Sequence, residues 1–144
     1  MDSTQFLHIF LFILFSFLAI RFYKKMSRGT DPLIERLKFD LIQIHPKAKT
    51  LNYFACSSSF TEDKKDMCLC LKDEKGIYYP YNMLIYVAVH ELAHAVSKTV
   101  DDTHTGQEFL SNFDILLDKA TKLGLYNPNE PLVYNYCGVT PETK

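Results

Sequence analysis

The stretch His90-Glu91-Leu92-Ala93-His94 constrains this chain more than any other part of it. Its two histidines are four apart, so on a helix they lie one turn apart on the same face. The preceding residues favour a helix. Met83-Leu84-Ile85-Tyr86-Val87-Ala88-Val89 runs into the motif without Gly or Pro, and Asn82 is a suitable N-cap. That run is apolar nearly all round, which predicts a largely buried helix. Imidazoles on a buried helix must be hydrogen-bonded or metal-bound, because an unsatisfied polar group inside a protein is costly. Two on one face can hold a zinc ion, and the glutamate between them is placed to take a proton from a water that the ion activates.

Zinc in a hydrolytic site takes three protein ligands and leaves the fourth position open. Of the five histidines, His8 lies in an apolar N-terminal run and His45 precedes Pro46. His104 remains, ten residues past His94. A helix ending near Lys98 or Thr99, followed by a short loop, returns His104 to the ion just before a second helix begins at about Gly106. Phe109, Phe113, Leu116, Leu117 and Ala120 give that second helix an apolar stripe to pack against the first. Glu108, Asp101 and Asp102 are the alternative third ligands. The metzincin pattern is excluded: it needs Gly and His three and six residues after the second histidine, where this chain has Ser97 and Val100.

The tract from Tyr79 to about Tyr126 resembles the WLM and SprT-like zinc metallopeptidases. Their pattern is HExxH, a short loop, then His with an aromatic a few residues on. Here it reads HELAH, nine residues, then His104-Thr105-Gly106-Gln107-Glu108-Phe109. A wider likeness, carried by MCLCLKDEKGIYYPYNMLIYVAVHELAH, by LGLY and by Tyr136-Cys137-Gly138, is closest to compact membrane-tethered versions encoded by large DNA viruses. The resemblance implies an α+β, zincin-like minimal domain with a small sheet beside the HExxH helix. It also implies one Zn2+ per chain on His90, His94 and His104, Glu91 as general base, and a polypeptide substrate. The C-terminal extensions that bind DNA-repair partners in some members have no counterpart here, so a role on DNA–protein crosslinks is not implied.

The start of the chain carries a second signal. Phe6 to Ile20 is free of charge and, with its flanks, is about 17–18 residues long, the short end for a membrane-spanning helix. A cleaved signal peptide wants a basic start, whereas only Asp2 is charged upstream. Arg21, Lys24, Lys25 and Arg28 follow, and the positive-inside rule puts the downstream domain on the cytoplasmic side. The expected organisation is therefore a single-pass anchor over 1–25, a tether over 26–30 and a metallopeptidase-like domain over 31–144. If viral, the membrane is that of the host cell or the virion. A net charge of −1 and the lack of a Lys/Arg stripe give no evidence for nucleic-acid binding.

Asp31-Pro32 reads as a helix start, with Leu33, Ile34, Leu37, Leu41 and Ile44 as the apolar face of a helix ending before His45-Pro46. Thr50–Cys56 and Met67–Leu71 read as strands, and Asp73-Glu74-Lys75-Gly76 as a turn into a third, Ile77-Tyr78-Tyr79. Either Cys68–Leu71 or Ile77–Tyr79 is then the edge that pairs with an extended substrate. The four cysteines lack CxxC knuckles, and in a cytosolic domain they are expected to be reduced packing residues, with a disulfide or second metal as the alternative. Tyr126, Tyr134 and Tyr136 are candidates for stabilising an oxyanion. A competing function is a catalytically inactive, membrane-tethered binding module whose zinc is structural, with Glu108 or a cysteine closing the coordination sphere.

Overall fold

Asp31 opens the first helix of the folded domain as its sequence suggests. In the computed structural model, which describes residues 3–27, 31–100 and 103–139, its carboxylate accepts the Leu33 backbone N–H at 3.0 Å and Pro32 takes the first helical position. The chain divides into two compact units, Met1–Thr30 and Asp31–Lys144. The first holds α1 (Ser3–Ser27). The second is α+β: α2 (Pro32–Ile44), β1 (Asn52–Ala55), β2 (Phe60–Glu62), β3 (Asp66–Leu69), α3 (Tyr81–Val96) and α4 (Gln107–Lys122).

The three strands form one mixed sheet in the order β1-β3-β2, with β1 parallel and β2 antiparallel to β3. β3 is central, so it is not the free edge expected from the sequence; the outer strands are β1 and β2, and β2 is the one that lines the cavity beside α3. Ile77–Tyr79 is not a strand either, since it contributes only the Lys72–Tyr78 bridge. The turn between β2 and β3 needs left-handed backbone at Asp63 and Lys64, with φ of 49° and 54°. β2 escaped the sequence reading because three residues, Phe60-Thr61-Glu62, are too few to show an alternation.

α3 is the centre of the core. Met83, Leu84, Ile85, Ala88, Val89 and Leu92 are all at most 1% exposed. They meet Ile34, Leu37, Leu41 and Ile44 of α2, Met67 and Leu69 of β3, and Phe109, Phe113, Leu116 and Ala120 of α4. The helix starts at Tyr81 rather than after Asn82. Asn82 is buried within the first turn, where its amide accepts the Asn127 N–H at 2.8 Å and donates to the Asn127 carbonyl at 3.0 Å. It clamps the segment after α4 instead of capping α3. Gly124, at φ 70°, ends α4 as expected.

The expectation for the cysteines needs correction. The cysteines are not free: Cys56 pairs with Cys68 and Cys70 with Cys137, their Cα atoms 5.4 and 6.5 Å apart. Cys56 lies just beyond the end of β1, beside its parallel neighbour β3, and Cys137 comes back to β3 from 67 residues away, a pairing that spacing alone does not reveal. Among the described residues no helix is long and apolar enough to cross a membrane. Ser27, expected in the tether, ends α1, and 28–30 lie outside the described residues.

Unreduced protein is expected to weigh about 4 Da less than reduced protein, one hydrogen per cysteine. Replacing Cys70 and Cys137 by serine together should lower stability to urea by about 4 kcal/mol, from the long loop they close. An unchanged mass and midpoint would contradict the pairing.

Candidate metal centre

α3 brings His90 and His94 to one face, and the loop after it brings back His104. Their ligating atoms lie within 4.8 Å of one another. The His94 and His104 Nε2 atoms are 3.0 Å apart. Two nitrogens on a tetrahedral zinc, each at about 2.05 Å, stand about 3.3 Å apart, so the donor set fits that ion. The ring centroids of the three pairs are 4.8–5.0 Å apart. His104 reaches this position through left-handed backbone, φ 57°, a region that few non-glycine residues enter and that His, Asn and Asp enter most readily. Phe109 backs the cluster: it stacks on His94 at 4.3 Å and lies 5.0 and 5.4 Å from His90 and His104.

Burial, reinforced by His94 and His104 nearby, pushes the His90 imidazole down to about 3. It is therefore neutral, with a free lone pair to coordinate, at any pH near 7. Glu91 is 5% exposed and lines the same cavity as the three histidines. Burial lifts its carboxyl to about 7, against the opposing hydrogen bond from Thr61. Thr61 Oγ1 lies 2.9 Å from Glu91 Oε2 and 3.0 Å from the Glu91 carbonyl, so strand β2 is tied to the motif itself. Nothing in the sequence near Thr61 signals this contact, because β2 itself is not legible there.

Glu108 is not in the cluster. Its carboxylate accepts the Lys98 N–H at 2.9 Å, the Thr99 N–H at 3.1 Å and the Thr99 hydroxyl at 2.8 Å. The Lys98 and Thr99 bonds hold its carboxyl down to about 2. It braces the loop between α3 and α4. Asp101 and Asp102 lie outside the described residues. From the β2–β3 turn, Lys64 donates to the carbonyls of His94 (3.1 Å), Ser97 and Thr99 (3.0 Å), satisfying the end of α3. His8 belongs to the other unit, and the His45 ring accepts the Lys47 N–H at 3.0 Å.

Of the three candidate tyrosines, only Tyr136 reaches the cavity, and its hydroxyl is already engaged. Tyr134 is 81% exposed, and neither it nor Tyr126 lines the cavity. Tyr136 does line it, but its hydroxyl proton goes to the Cys70 carbonyl, leaving the oxygen to accept from Ser59 at 2.8 Å. The Cys70 N–H closes the ring by donating to Ser59 Oγ at 2.9 Å. Tyr136 is thus a wall of the cavity, its phenol raised to about 12 by burial.

The relatives carry no described activity. Over 82 residues the chain is 46% identical to an uncharacterised protein of Invertebrate iridescent virus 6, a match covering 55% of this chain and 44% of the relative. A 38% identical match to an uncharacterised protein of Invertebrate iridescent virus 3 covers 56% and 50%. An uncharacterised protein of Acanthamoeba polyphaga mimivirus is 35% identical over 86 residues, covering 57% and 42%. The match thus spans about half the length of these relatives. No protein-family profile and no solved structure matches.

Two outcomes follow from this geometry. His104→Ala should lose most of its affinity for zinc, whereas Glu108→Gln should keep the ion and loosen only the loop; the reverse pattern, read by elemental analysis, would make Glu108 the ligand. The second concerns pH. Between about pH 4.5 and 7 folded, metal-free Glu91 holds a proton that the unfolded chain has released, so its burial costs stability as pH rises through that window. Glu91→Gln removes this cost. Its metal-free urea stability relative to the parent should grow by up to about 3 kcal/mol between pH 4 and 8, and a pH-independent difference would contradict the burial argument.

Proposed function

We propose that residues 31–144 form a zinc metallopeptidase of the WLM/SprT-like, zincin kind, with His90, His94 and His104 as ligands and Glu91 as general base. The observation that carries this reading is the convergence of three imidazole donors with a buried carboxylate in one cavity beside a free strand edge. A zinc ion held by three imidazoles supplies a Lewis acid and lowers the pKa of a coordinated water to about 7. Glu91 takes the proton from the attacking water and delivers it to the leaving amine. Thr61 holds the carboxylate in place for both transfers. An extended peptide adds to β2, whose outer side pairs with no strand among the described residues.

The rival reading, a closed structural zinc site, needs a fourth protein ligand. Its two nominees are engaged elsewhere: all four cysteines are paired, and both Glu108 oxygens are taken. That supports an open position and hence catalysis. α1 is the lipid-associating part of the proposal. Leu7, Phe12, Phe15 and Phe22 are more than half exposed, a surface that water does not favour. Its short apolar run is accommodated by local thinning of the bilayer and by Arg21 reaching for the headgroups. The two disulfides favour an oxidising side of that membrane over the cytoplasmic side that the basic flank alone implies.

The test is a complex peptide pool digested by zinc-loaded full-length protein and its Glu91→Gln variant, with products read by mass spectrometry. Cleavage by the parent should fall by about 10²-fold or more in the variant while zinc content stays the same. Equal cleavage by both sinks the general-base role, and no cleavage by the zinc-loaded parent sinks the peptidase.

A further inference from the structure

The cavity that contains the histidines has a volume of about 480 Å³, large enough for more than a metal and a water. It extends along α3 toward the helix N-terminus. Val87 and Met83 precede His90 by three and seven residues, about 4.5 and 10.5 Å along the axis. Around them the cavity is walled by Tyr86, by Leu110 and Phe113 of α4, and by Val139 of the C-terminal strap. Among the described residues of this lining, apart from the histidines, the one side chain with a charge near neutrality is Glu91, and no Lys, Arg or Asp takes part.

We propose that this extension is a specificity subsite that receives one large aliphatic or aromatic side chain of an extended peptide lying on β2, next to the bond at the metal. The inference rests on the peptidase reading for the word substrate, but not for the binding. A charged side chain entering the extension meets no counter-ion and loses its water, whereas an apolar one gives up water at no such cost. The strap that forms one wall is fixed in three ways. Cys137 is bonded to Cys70, its N–H donates to the Tyr79 hydroxyl at 2.9 Å, and Tyr136 and Val139 pair their backbones at 2.8 and 2.9 Å. The subsite is thus built before a ligand arrives, which favours selectivity over induced fit.

Blocked pentapeptides Gly-Gly-X-Gly-Gly titrated into zinc-loaded, full-length Glu91→Gln protein, followed by NMR, test this directly because the variant leaves them uncut. With X as Leu or Phe, binding should be at least about tenfold tighter than with Ala, and weakest with Asp or Lys. Val139→Asp, at a position 65% exposed and outside the core, should erase the preference while zinc and fold are retained. Equal binding of all five peptides, or a preference that Val139→Asp leaves intact, overturns the subsite. A preference of this kind in a protein whose parent cuts no peptide pool refutes only the reaction; cleavage without any preference refutes only the subsite.

Discussion

Burial of α3 on nearly every face is the constraint from which the rest of this domain follows. The helix is held by α2, by the sheet and by α4, and its apolar residues leave few polar groups to place. Besides Asn82, which clamps Asn127, the polar groups His90, Glu91 and His94 emerge on the side where α4 begins and β2 lies. Two imidazoles and a carboxylate near a core cost stability unless each has a partner. Thr61 serves Glu91, and His104 and Phe109 serve the histidines. A rigid helix on which the chemical groups are the exception is what a preorganised site requires.

The loop from α3 to α4 solves a second problem, bringing a third donor back across ten residues. It is tied at both ends by charge-assisted bonds. Lys64 fastens the carbonyls at the end of α3, and Glu108, in the first turn of α4, fastens the N–H groups of Lys98 and Thr99. Asn112 adds a bond to Ser97 Oγ at 2.9 Å, joining α4 to the same corner. His104 then turns inward through left-handed backbone. Glu108, one of the three acidic residues that rival His104 as a ligand in the sequence, is thus the one that positions the loop.

What the sequence makes legible is what lies within one helix or one turn. The Asp31 cap, the α2 stripe, the extent of α3 to within a few residues and the end of α4 at Gly124 all rest on local rules. His90, Glu91 and His94 are readable because their spacing is a helical turn. His104 is readable because few histidines remain. What fails is long-range or too short. β2 has three residues, so the edge strand beside the site is invisible, and with it Thr61. The disulfide from Cys70 to Cys137 spans 67 residues. The committed hydroxyl of Tyr136 depends on Ser59 and Cys70 at once, which no pattern along the chain encodes.

The central claim is an open site with three histidines. X-ray absorption at the zinc edge, on full-length protein loaded with one equivalent of the ion, addresses it most directly. The account predicts three imidazole nitrogens at about 2.0–2.1 Å and one further light atom without an imidazole's outer-shell scattering. Sulfur at about 2.3 Å, or a fourth imidazole, would contradict it and turn the centre into a structural one.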